Sequence, residues 1–181
     1  MPDYHTQAGA GSWLARCYLI RGELEQALPV AEARRELIRV RRVWVNRPYA
    51  YAGLLETYLV AAEYGTGEVR RVWMNKARQS CRETVKSARI NRAALSNALI
   101  LQGRYEWLRG KSGAARKCWQ NALEEARRTG ECYSYGAIHL DAGRCLGDRE
   151  HLLQAESMLK EIGAEFDLAA AREAIVNLPE K

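Results

Sequence analysis

The residues able to do chemistry at neutral pH are few in this chain: three histidines, His5, His139 and His151, and five cysteines, Cys17, Cys81, Cys118, Cys132 and Cys145. His139 and Asp141 invite reading as a proton-relay dyad, but residues two apart on a helix point to different sides. Cys132 and His139, seven apart, share a helical face and could be drawn as nucleophile and base. The sequence offers neither a third group to orient the base nor an oxyanion site beside them. The cysteines are odd in number, widely spread and lack a CxxC pair, which fits free, mostly buried thiols better than a disulfide framework or a zinc site. There is no phosphate-binding glycine loop, no HExxH and no acidic metal cluster. The expectation is therefore a protein that is not an enzyme, with no cofactor and no metal.

What remains for function is charge. The net charge of +6 is uneven: residues 1–92 carry 16 Lys/Arg against 9 Asp/Glu, a balance of +7, and residues 93–181 carry 12 against 13, a balance of −1. The densest basic piece is RRELIRVRR, whose Arg34, Arg35, Arg41 and Arg42 form a candidate basic face. Such a face attracts nucleic acid, an anionic membrane surface or an acidic partner, or is the solvated side of a helix. Nucleic-acid recognition usually adds aromatic platforms or a known motif, and neither is clear here. It stands as an alternative to protein binding.

The elements that carry these residues are helical almost throughout. At 181 residues, 48% hydrophobic and 28% charged with four prolines, the chain reads as one folded domain spanning 1–181. No apolar run approaches the ~20 residues of a membrane span, and MPDYHTQAGAG lacks a signal pattern, so a cytoplasmic protein without a membrane partner is expected. Apolar residues recur at three and four, and no segment alternates as a strand does. Glycines 22, 65, 67, 110, 130, 147 and 163 punctuate the helices. Pro48 suits the first position of a third helix, Asn91, Ser112 and Asp148 suit N-caps, and Pro29 lies early in the second helix. The connections are a few residues each, which predicts antiparallel pairs at about 8–45, 47–90, 92–129 and 132–163, then a capping helix at 165–178.

These pairs share a phase. Ala15, Gly22, Ala27, Ala31 and Arg34 fall opposite Gly103, Gly110, Ala115, Trp119 and Ala122. Leu140, Gly147, Ala155, Leu159 and Ile162 follow the same order, with about three extra residues expected in the turn. Gly65 and Ala77 are the second pair's counterparts across a longer insertion, so that pair's register is ambiguous. The reason is steric: where two helices cross closely, a small residue on each lets the backbones approach.

On these residues the chain resembles the tetratricopeptide-repeat (TPR) family, whose repeats place small residues on both helices around a break. The early GELEQALPVAEAR and the closing LLQAESMLKEIGAEFDLAAAREAI look like the divergent repeats attached to bacterial signal-transduction ATPases, cyclases and transcriptional regulators. The resemblance implies an all-α right-handed superhelix, or solenoid, that binds a protein or peptide as the sensor or partner-binding region of a regulator. It also implies a concave groove lined by Ser12, Arg16 and Leu19, by Asn97, Ile100, Arg104, Trp107 and Leu108, and by Ser134, Asp141 and Arg144. Arg16, Arg104 and Arg144 would clamp carboxylates or a peptide backbone, and Trp107 would be an apolar anchor. The first helix has no repeat before it, so self-association through that uncapped end is a further alternative. The ending NLPEK reads as a polar cap.

Overall fold

The computed structural model describes residues 4–41 and 47–179. Among them the chain is all helix, with no strand: α1 Tyr4–Ile20, α2 Leu24–Arg41, α3 Arg47–Tyr64, α4 Gly67–Ile90, α5 Leu95–Leu108, α6 Ser112–Thr129, α7 Cys132–Leu146, α8 Arg149–Glu161 and α9 Glu165–Val176. A single 3₁₀ turn, Arg92–Ala94, precedes α5. The chain divides into two compact units, Met1–Leu101 and Gln102–Lys181, whose boundary falls inside α5.

In the first unit α1 packs on α2 and α3, α2 on α3, and α3 on α4. Helix α3 is buried along most of its length, with Leu54, Leu55, Thr57, Tyr58 and Leu59 all inside. An interior helix needs no polar face, and YAGLLETYLVAA has almost none. In the second unit α7 lies against α6, α8 and α9, and α8 packs on α9. Leu140, Leu152, Ala155, Leu159, Leu168 and Ala171 form its core.

Glycines meet bulk where α1 crosses α2, α5 crosses α6 and α7 crosses α8. Gly11 faces the side chain of Arg34, Gly103 faces the Trp119 indole, Gly136 faces Leu159 and Gly143 faces Leu152. Each of these contacts sets a glycine of a pair's first helix against the second helix of the same pair. The turn of the fourth pair is no longer than that of the first: only Gly147 and Asp148 separate α7 from α8, whereas Arg21 to Glu23 separate α1 from α2. The three extra residues expected there do not exist. Aligning Gly22 with Gly147 sets Ala27 opposite Leu152, and the glycine at 143 makes room for that larger side chain.

The caps are less regular than the sequence suggests. Asp148 does cap α8, accepting from the backbone N–H groups of Glu150 (3.0 Å) and His151 (3.2 Å). Gly147 beside it holds φ 63°, a left-handed conformation in which glycine carries no Cβ penalty. Asn91 makes no side-chain cap, because the 3₁₀ turn intervenes before α5. Ser112 is the first residue inside α6, and Lys111 occupies the cap position without a side-chain bond. Pro48 is the second residue of α3, and α1 begins earlier than expected, at Tyr4.

Candidate functional site

Helix α2 presents Glu32, Arg35, Glu36 and Arg39 at spacings of three and four, and α4 presents Lys76, Gln79, Ser80 and Glu83 in the same rhythm. A helix places such residues on one face. With Leu54 and Tyr58 of α3, these two faces line a cleft of about 390 Å³ in the first unit, Glu83 standing at its edge.

Its side chains are held by one another. Glu32 accepts from the Tyr58 hydroxyl at 2.9 Å and from Lys76 Nζ at 3.1 Å. The ammonium of Lys76 lies 4.7 Å from the centre of the Trp73 ring and 5.5 Å from that of Tyr58. The two rings are themselves stacked at 5.8 Å. A cation over two aromatic faces and beside a carboxylate is fixed in place far better than an ordinary surface lysine. Burial pulls the Glu32 carboxyl up, but the hydrogen bonds from Lys76 and Tyr58 and the Lys76 charge outweigh it, leaving Glu32 below its ordinary value. Burial, then the Glu32 carboxylate, push the Tyr58 hydroxyl well up. Glu36 is gripped by Arg39 through two bonds of 2.6 and 3.0 Å. Arg35 forms an ion pair with Glu83 at 3.6 Å, too long for a hydrogen bond, and its guanidinium borders the cleft.

The residues expected in a concave groove fall into both units. Ser12, Arg16 and Leu19 on α1 and Asn97 on α5 are half-buried, and Ile100 is buried. Arg104, Trp107 and Leu108 on α5 are half-buried, as are Ser134 and Asp141 on α7, whereas Arg144 is exposed. Ser134 donates to Glu131 at 2.8 Å, and Asp141 accepts from the Trp119 indole N–H at 2.9 Å. That second bond ties Asp141 to the core. Of the basic face, Arg34 lies over Gly11 and Arg35 edges the cleft. The side chain of Arg41 and all of Arg42 lie outside the described residues, as does the side chain of His5.

Among the described residues neither pairing considered in the sequence is assembled. The Cys132 thiol contacts the Gly130 carbonyl at 3.8 Å, and His139 instead meets His151, Nδ1 to Nδ1, at 2.9 Å. The sequence reading missed this second pair, which the α7–α8 crossing brings together. His139 is buried and its Nε2 has no hydrogen-bond partner among the described residues. The tautomer that leaves no buried N–H unpaired has His139 donating through Nδ1, with a bare Nε2. Burial, and secondarily the His151 charge, lower its pKa to about 4. A lowered folded value means that the unfolded chain takes up the proton first. The stabilising effect of neutral His139 is therefore complete above pH ~6.5 and lost as pH falls from there toward 4. Urea midpoints at pH 7.5 and 4.5 should fall further for the wild type than for His139→Leu; equal losses would remove His139 from the acid response.

Among the described residues no group of three His, Cys, Asp or Glu side chains converges for a metal, and no helix is long and apolar enough to cross a membrane. No known protein family, curated protein or solved structure matches the chain.

Proposed function

We propose that the chain is a non-enzymatic scaffold that binds a protein or peptide partner, its helix pairs stacked as a right-handed TPR-like superhelix within a bacterial cytoplasmic regulator. The observation that carries this reading is the cleft between α2 and α4. It is of peptide side-chain size, has an aromatic and aliphatic floor, and holds paired charges already ordered before a partner arrives. Ordered side chains lose less freedom on binding than mobile ones do. A glycine on the first helix set against bulk on the second, in three of the four pairs, supports the repeat architecture. Nucleic-acid binding has less support, because Glu32 and Glu36 interleave with the arginines of α2 and Arg39 is held by Glu36.

Selection of phage-displayed peptides on the immobilised chain tests the reading. Arg35→Glu should weaken selected peptides at least about tenfold if the cleft receives them, and Arg104→Glu or Trp107→Ala should do so if α5 does. Peptides that bind all three variants as well as the wild type would remove both surfaces from the account.

A further inference from the structure

Helix α1 has an outward stripe of Ala10, Trp13, Leu14, Cys17 and Ile20, spaced three and four apart. All five are exposed and all are apolar, with Trp13 65% accessible. On the opposite side Gly11 and Ala15 are buried. A helix apolar on both sides has the composition of an interior helix. The repeat phase makes the comparison direct. With Gly22 set on Gly147, the stripe corresponds to Tyr135, Ile138, His139, Ala142 and Cys145 of α7. There Ile138, His139 and Ala142 are buried and the other two half-buried, because α7 has neighbouring helices to cover it. Helix α1 carries residues suited to the same cover, and in the single chain they face water.

We propose that a second copy of this chain supplies the cover, the two α1 helices packing antiparallel about a two-fold axis. The stripe is self-complementary for that arrangement. With the axis at the level of residue 15, Trp13 lies over the partner's Cys17 and Ala10 over the partner's Ile20, so Trp13 and Ile20 each meet a small residue, while Leu14 lies beside the axis. A shift that sets Trp13 on the partner's Ile20 stacks bulk on bulk. In such a two-fold contact the same patch serves both copies, so one helix face suffices and the assembly closes at two. Five side chains per copy make a small contact, which places the pair among weak, concentration-dependent dimers. The proposal is independent of what occupies the cleft.

Sedimentation equilibrium on the full chain tests it, with Trp13→Glu and Ile20→Glu as variants whose folding is followed by helical circular dichroism and thermal midpoint. The wild type should show a monomer–dimer equilibrium. Both charged variants should remain folded and shift to monomer, losing about tenfold or more in association. In a Cys132→Ser background, the arrangement also fixes the geometry of Cys17. The two copies of that residue are offset by about 6 Å along the helix on axes about 9 Å apart. A short bismaleimide should therefore link them, whereas mild oxidation should not, since a disulfide needs Cα atoms within about 7 Å. A wild type that stays monomeric to about 0.5 mM, a dimer that survives both charged variants, or a dimer that the bismaleimide fails to link would each overturn the proposal.

Discussion

Replacing Trp119 with alanine is expected to destabilise the second unit by about 3–5 kcal/mol, the range for emptying a buried indole site. Trp119 is only 2% exposed, lies against Gly103 and donates its N–H to Asp141 at 2.9 Å. Glycine at 103 has no side chain with which to fill the space left behind, so the cavity stays open. Trp119→Phe keeps most of the ring volume and removes the donor; its cost should be nearer 1 kcal/mol, the net worth of one hydrogen bond. Urea unfolding followed by circular dichroism measures both, and an alanine variant within 1 kcal/mol of wild type would mean that the indole is not the keystone of that crossing.

The second large effect reverses an ordinary propensity rule. Alanine in place of a helical glycine usually stabilises by roughly 0.4–1 kcal/mol. Gly113 on α6 should obey, since a Cβ there meets nothing within 4 Å. At Gly103 the added carbon would lie 2.5 Å from Trp119 Nε1, and at Gly143 it would lie 2.7 Å from Leu152. Both rigid neighbours would have to move. Gly103→Ala and Gly143→Ala should each lose about 1–3 kcal/mol, and Gly103→Val about 3 kcal/mol or more. Thermal midpoints of the four variants decide the matter; stabilisation at Gly103 would show that α5 and α6 are not in close contact there.

The helices, their order and most of their boundaries were legible in the sequence, because apolar periodicity and glycine breaks are local signals. The small residues at 103, 110 and 115 correctly marked where α5 and α6 touch and reverse. The cleft was not legible. The run from Arg34 to Arg42 reads as a basic patch when taken alone, yet Glu32 and Glu36 share its face, and the Glu32 partners Tyr58 and Lys76 lie 26 and 44 residues away. The α2 and α4 faces repeat the same polar spacing, which is the signal that was available. The meeting of His139 and His151 likewise depends on which sides of α7 and α8 cross, a matter of a few tens of degrees that residue types alone do not determine. Asn91 and Ser112 have the right chemistry for caps, but the backbone around each takes another course.

At the crossings described above, the glycine lies on the first helix of a pair and the bulk on the second, but the bulky residue differs from pair to pair: Trp119 against Gly103, Leu152 against Gly143, an arginine stem against Gly11. What recurs along the chain is a combined volume, whereas the amino acid at any one position is free to differ. A pattern stored that way tolerates wide drift in sequence, provided that change at one residue is matched across the contact, and its inheritance is written in couples of residues.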